Sequence, residues 1–150
     1  MEAGYAVALH VAGAGVGECI AQYQVAIALN PNMGPLRLNL AQLLFIKGDD
    51  TEANTQLTKA FSLGLDPSAR LEAEFYLLSH TSSDPAAIFG TTKSLLTQGA
   101  RLRWNVRPNI EAISRRDPKK AALLELVVKV MVRETASALL DEVLVRWRYE

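Results

Sequence analysis

The apolar residues of this chain recur with the spacing of amphipathic helices. Leu71, Phe75 and Leu78 stand at positions i, i+4 and i+7, so they form one face of a helix. The stretch from 121 to 133 is apolar apart from three charged residues spaced four apart, Glu125, Lys129 and Arg133. A helix with so narrow a polar stripe is buried on most sides. The pattern predicts an all-α protein.

Turn and capping residues separate these helical segments. Gly48 follows one helical pattern, and Asp49 and Asp50 open the next. Glycine is common just past a helix end, and acidic residues are favourable at a helix start. Asp84 and Asp117 are each followed by a proline, which suits the first turn of a helix. We predict helix boundaries at all of these positions.

Sets of mostly small or apolar side chains recur every 34 residues along the first two-thirds of the chain. The first set is Cys19, Tyr23 and Ala26, the second is Ala53, Leu57 and Ala60, and the third is Ala87, Thr91 and Ser94. Small residues on one helix face let a neighbouring helix approach closely. A period of this length is typical of proteins built from stacked helix pairs.

This period resembles that of the tetratricopeptide repeat, whose unit is an antiparallel pair of helices about 34 residues long. The match is clearest over 34–67, where Leu40, Ala41 and Leu44 occupy the family's first-helix positions and Gly48 occupies its turn. Arg37 stands where the family has an aromatic residue, and the closing proline comes two residues late.

The resemblance implies a single domain, 1–150, in which helix pairs stack in a right-handed superhelix. The pairs would cover 1–33, 34–67 and 68–99, and closing helices would cover 100–150. The last of these would be an amphipathic helix, either separated from the helix before it by a break near 134–137 or continuous with it as one long bent helix.

The resemblance also implies where a partner would bind. In tetratricopeptide arrays the first helices of the pairs line a concave groove that takes an extended peptide or a helix. The matching positions in this chain are Leu38, Asn39, Gln42, Phe45, Glu72 and Tyr76. Asn39 and Gln42 would supply polar contacts, and Phe45 and Tyr76 would pack against the partner.

The charges of the chain are balanced in number but not in position. The 16 basic and 16 acidic residues cancel, so no overall field attracts nucleic acid or an anionic membrane. The segment 101–120 is nevertheless basic, with candidate patch residues Arg101, Arg103, Arg107, Arg115 and Arg116. These side chains would either bind phosphate or an acidic partner or simply be solvated at helix ends.

The sequence shows no apolar run of the roughly 18 to 20 residues that a membrane helix needs. The first residues also lack the basic region of a signal peptide. We therefore expect a cytoplasmic protein that does not contact membranes. Cys19 is the single cysteine, so an internal disulfide is excluded.

Three features that suggest chemistry have simpler structural interpretations. Gly48-Asp49-Asp50 lacks the flanking strands of a metal-binding hairpin, and His80 beside Thr81 lacks the glycine-rich nucleophile turn of a serine hydrolase. Cys19 lies in a column of small packing residues, which favours a buried, inert thiol. We predict a protein that is not an enzyme and that has no cofactor or metal.

The function predicted from the sequence is therefore protein–protein interaction, with a peptide or helix of a partner held in the groove. Two alternatives stay open. The chain would be a structural homo-oligomer if it self-associates through the apolar 121–132 helix or through its short first helix pair. It would bind nucleic acid or another acidic partner if the basic 101–120 segment acts as a patch, but nucleic acid is the less favoured partner.

Overall fold

The computed structural model describes residues 2–82 and 84–131, and all the regular structure within these ranges is α-helical. The prediction of an all-α protein is confirmed. The helices are α1 (Glu2–Val11), α2 (Val16–Leu29), α3 (Gly34–Lys47), α4 (Asp50–Leu63), α5 (Pro67–Thr81), α6 (Pro85–Thr97), α7 (Arg107–Ser114) and α8 (Pro118–Met131). The predicted break near 134–137 and the predicted end helix lie outside the described residues. The contacts within the chain define two units, Met1–Leu65 and Asp66–Glu150.

In the first unit each helix packs on the next, α1 on α2, α2 on α3 and α3 on α4. The first two sets of recurring residues form much of the core of the first unit. All of their side chains are buried: Cys19, Tyr23, Ala26, Ala53, Leu57 and Ala60. The small side chains in these sets allow the helices to approach closely.

The turn between α3 and α4 follows from its sequence. Gly48 has a φ of 96°, a left-handed conformation that residues with a side chain rarely adopt. Its amide donates to the carbonyls of Leu44 and Phe45, and the Asp49 amide donates to Leu44 O at 2.8 Å. Gly48 and Asp49 therefore end one helix and begin the next, as the sequence predicts.

Arg37 has a structural role at the position where the family has an aromatic residue. Its Nη1 donates to Gln56 Oε1 at 2.9 Å, and its Nη2 donates to the carbonyl of Pro31 at 3.0 Å. The side chain thus links α3 both to α4 and to the turn that precedes α3.

In the second unit α5 packs on α6 and α7, and α8 packs on α6 and α7. Three aspartates cap helices, and two of them, Asp84 and Asp117, stand at boundaries that the sequence predicts. Asp66 Oδ1 accepts from the Ala69 amide at 2.8 Å, Asp84 Oδ1 from the Ala86 amide at 3.0 Å, and Asp117 Oδ1 from the Lys120 amide at 3.1 Å. The predicted burial of the apolar helix is also observed over α8, where Leu124, Val127 and Met131 are fully buried.

The 34-residue period predicts the packing positions of α6 one residue too early. Ala87 and Thr91 are partly exposed and Ser94 is exposed. The core positions of α6 are one residue later, at Ile88, Thr92 and Leu95. The reason is an extra residue in the preceding segment. The step from the start of α2 at 16 to the start of α4 at 50, taken again, leads to position 84, whereas α6 begins at 85. A fixed period therefore places the third set on the edge of the helix.

None of the described helices is both long enough and apolar enough to cross a membrane.

Candidate interaction surfaces

The α3 part of the predicted groove is mostly buried. Leu38, Gln42 and Phe45 are each almost completely inaccessible to solvent, and Asn39 is partly exposed. The buried residues of α3 include an unbroken run from Leu40 to Phe45. A helix that is apolar nearly all round its axis is expected to be surrounded by other parts of the protein. Of these four side chains, only Asn39 is placed to meet a partner in this conformation.

The α5 part of the predicted groove is buried as well. Tyr76 is fully buried, and Glu72 is 6 % exposed. Burial raises the pKa of Glu72 to about 7, although the nearby Tyr76 hydroxyl and the charge of Arg103 both lower it. Glu72 Oε2 accepts no hydrogen bond from the residues that the structure describes. A buried carboxyl of this kind is costly to ionise.

A second buried polar pair lies between α5 and α7. The Asn109 amide nitrogen and His80 Nε2 are 3.0 Å apart, and both side chains are buried. Burial, together with the positive charges of Arg116 and Lys120, lowers the pKa of His80 to about 3. His80 is therefore neutral at pH 7. Its ring links two helices inside the unit and lies away from solvent.

The basic residues of 101–120 are largely engaged within the chain. Arg103 forms an ion pair with both carboxylate oxygens of Asp66, at 2.6 and 2.9 Å. Arg107 pairs with Glu125 at 2.5 Å, and Arg115 is 3.8 Å from Glu111.

The two remaining arginines of the candidate patch differ from each other. Arg101 donates to the carbonyls of Leu96 and Ala100, which fixes it against the end of α6. Arg116 is exposed. Three of the five arginines are thus paired with carboxylates, and Arg101 is held by backbone carbonyls.

The residues considered for chemistry have structural surroundings. Cys19 is buried, and burial raises the pKa of its thiol, as does the neighbouring Glu18. Its Sγ is 3.6 Å from the carbonyl of Ala14. Asp49 and Asp50 lie at the turn between two helices. In the part of the chain that is described, no three His, Cys, Asp or Glu side chains come together as a metal site would require.

The structure exposes an apolar surface on the first two helices, the helix pair that the sequence analysis names only as one possible route of self-association. Among the described residues, the large apolar side chains that are clearly exposed all lie in the first unit: Tyr5, Val11, Val25, Leu29, Met33 and Leu63. Four of the six belong to α1 and α2. Val11 is 71 % exposed and Leu29 is 62 % exposed. Single exposed apolar side chains are common, but apolar side chains that adjoin one another in a patch often mark a surface that another molecule covers.

Apart from Gln24, and from Glu18 in the first turn of α2, the exposed residues of these two helices are small or apolar. On α1 and the residue after it, the exposed face comprises Gly4, Tyr5, Ala8, Val11 and Ala12, and on α2 it comprises Ala21, Gln24, Val25, Ala28 and Leu29. We call these ten residues the N-terminal apolar surface. On each helix they span an arc of about one-third of the circumference, opposite the buried side.

The exposed residues of α2 can be compared with the equivalent exposed residues of α4. Residues of α2 and α4 that are one period apart have matching exposure at Ala21 and Thr55, Val25 and Lys59, Ala28 and Ser62, and Leu29 and Leu63. At the first three of these pairs α4 has the polar residue that a solvated helix normally has. The sequence does contain a signal of the difference, because Glu18 is the only Asp, Glu, Lys or Arg residue between positions 3 and 36.

No protein-family model, no curated protein and no solved structure matches this chain. The resemblance to the tetratricopeptide repeat therefore stays a prediction.

Proposed function

We propose that this chain is a non-enzymatic protein-interaction module, built of stacked helix pairs of the tetratricopeptide type. It binds its partner through the N-terminal apolar surface. The observation that carries the proposal is the exposure of this surface on a helix pair whose equivalent, α3 with α4, is polar at three of the four compared positions of its second helix. An apolar surface that faces water is unfavourable unless a partner removes it from solvent.

The helix-pair architecture is supported by the spacing of the helices. The second helices of the three pairs begin at nearly constant steps along the chain, α2 at Val16, α4 at Asp50 and α6 at Pro85. Within the first unit, α2 packs on both α1 and α3, as a repeat stack requires. Helices α7 and α8 follow the three pairs in the role that the sequence assigns to closing helices.

The proposal moves the partner away from the predicted groove. Five of the six groove residues are buried, so a peptide bound there would meet only the side chain of Asn39. The basic segment is also a weaker basis for a partner site, because three of its five arginines are paired with carboxylates. Surface ion pairs of this kind reduce the charge available to a phosphate.

The non-enzymatic part of the proposal rests on where the reactive side chains lie. His80 and Cys19 are both buried, and His80 is held by Asn109. A general base or a nucleophile has to reach a substrate, and neither side chain faces an opening to solvent.

The proposal is tested by photocrosslinking in native cells. A benzophenone amino acid placed at Val25 is expected to form a covalent adduct with another protein chain. The same amino acid at Lys59, the equivalent exposed position one period later, is the matched control and is expected to give little adduct. Equal adduct yields at the two positions, or none at Val25, would contradict the proposed surface.

A further inference from the structure

We propose that the partner of the N-terminal apolar surface is the same surface of a second copy of this chain, in a two-fold symmetric dimer. The inference rests on the proposed function and identifies its partner. It concerns the ten residues defined above on α1 and α2.

The surface contains both of the shapes that a self-complementary contact needs. Tyr5, Val25 and Leu29 project from it as large side chains. Gly4, Ala8, Ala21 and Ala28 leave low points on the same two faces. In a two-fold interface, if residue i of one copy contacts residue j of the other, then j also contacts i. Large side chains of each copy can thus fit over small residues of its partner, which also lets the helices approach closely.

The charge of the surface favours a second copy over charged partners. Between positions 3 and 36 the chain carries one carboxylate, Glu18, and no Lys or Arg. Nucleic acids and anionic membranes are held by Lys and Arg, which this surface lacks. A strongly acidic or basic protein would find no opposite charge to compensate its own desolvation. A second copy brings an equally uncharged face.

Two polar groups adjoin the surface, Glu18 at the N-terminal end of the exposed face of α2 and His10 on α1. Glu18 is exposed in the first turn of α2, where the helix end stabilises a negative charge. His10 Nδ1 lies 2.8 Å from the Tyr23 hydroxyl, and burial lowers the pKa of His10, so its ring is neutral at pH 7. The ten residues themselves therefore carry no charge, and Glu18 adjoins them at one end of α2.

The test is the mass of the purified 1–150 chain in solution, measured by light scattering as its concentration is raised. The unmodified chain is expected to move from 16.4 kDa towards twice that mass. Leu29→Glu is expected to weaken dimerisation at least about tenfold, because it places a charge in an apolar contact. Leu63→Glu is the matched control, since it makes the same change at the equivalent exposed residue of α4. It is expected to dimerise like the unmodified chain.

Circular dichroism of both variants checks that each keeps its helical signal, so that a loss of dimer is not a loss of fold. A mass of 16.4 kDa at every concentration overturns the inference, and so does equal dimerisation of the Leu29→Glu variant and the unmodified chain.

The crosslinking experiment at Val25 separates this inference from the proposed function. An adduct of twice the chain mass supports both. An adduct of another mass, together with a monomer in light scattering, leaves the interaction surface in place but removes the second copy as its partner. No adduct together with a monomer removes both.

Discussion

The surface of the first unit and the interior of the second unit depart from the usual distribution of polar and apolar residues in opposite directions. The first unit exposes large apolar side chains such as Val11 and Leu29. The second unit buries polar ones, among them Glu72, His80 and Asn109. The comparison indicates that different properties of the solvent matter for the two units. Covering the surface of the first unit is favourable at any pH, whereas the stability of the second depends on the protonation of groups inside it.

The largest effect that we predict comes from the apolar core of the first unit. Leu57→Ala removes a buried side chain and leaves a cavity, so the free energy of unfolding should fall by about 2–5 kcal/mol. Because no ionisable group changes, the loss should be the same at pH 5 and pH 8. Urea unfolding at the two pH values measures it. If the loss of unfolding free energy changed strongly with pH, the stability of the first unit would also depend on protonation, and the two units would not differ in this respect.

Glu72→Gln in the second unit should instead raise the free energy of unfolding, and the increase should depend strongly on pH. The folded pKa of Glu72 is about 7 and its ordinary value is 4.5, so the folded state holds this proton more tightly than the unfolded state does. The cost to stability therefore begins above pH 4.5, grows as the pH rises, and is complete above pH 7. We expect the variant to be more stable than the unmodified chain by up to about 3 kcal/mol at pH 8, with no difference near pH 4.

Glu74→Gln is the matched control for this prediction. It makes the same change on the same helix, at a position that is partly exposed and outside the buried set. Urea unfolding of the three proteins at pH 4, 6 and 8 gives the comparison. A gain in Glu74→Gln equal to that in Glu72→Gln would show that the removed charge, and not its burial, is the cause.

His80 should act in the opposite pH direction to Glu72. Its folded pKa of about 3 lies below its ordinary value of 6.5, so the unfolded state binds the proton more readily. Stability is unaffected above pH 6.5 and falls as the pH is lowered towards 3. The loss should be about 2 kcal/mol between pH 6.5 and pH 5.

The two effects overlap between pH 4.5 and 6.5 and nearly cancel in the unmodified chain. The His80 effect is therefore best measured in the Glu72→Gln background, with and without His80→Gln. His10→Gln in the same background is a control, because burial also lowers the pKa of His10 but in the first unit. An acid slope that survives His80→Gln unchanged would assign the effect to another group.

The comparison also explains what could be learned from the sequence. Glycine, proline and aspartate fix helix ends through local backbone chemistry, so the boundaries at Gly48, Asp84 and Asp117 were predictable. The one-residue shift in α6 was not, because a period measured in the first unit carries no information about an insertion before Pro85.

The groove and the basic segment were difficult for a different reason. Whether Gln42 or Tyr76 is exposed depends on which distant residues cover it, and a helical pattern does not include that information. Likewise the pairing of Arg103 with Asp66 joins residues 37 positions apart. The apolar surface, in contrast, has a signal in the sequence, because Glu18 is the only Asp, Glu, Lys or Arg residue between positions 3 and 36. A repeat pattern does not use this signal, because it is defined by the buried positions and not by the exposed ones.

The smallest effect we predict tests whether the exposed apolar residues contribute to the fold of their own unit. Leu29 is 62 % exposed and Leu63 is 39 % exposed, so a large part of each side chain is already in contact with water in the folded state. At the lowest measurable protein concentration, Leu29→Glu and Leu63→Glu should both leave the free energy of unfolding within about 0.5 kcal/mol of the unmodified chain. As the concentration rises, association stabilises the folded state by mass action. The unmodified chain and Leu63→Glu should then gain stability while Leu29→Glu should not. A deficit in Leu29→Glu that is already present at the lowest concentration would mean that this residue supports the first unit itself, and that its exposure is not a sign of a partner.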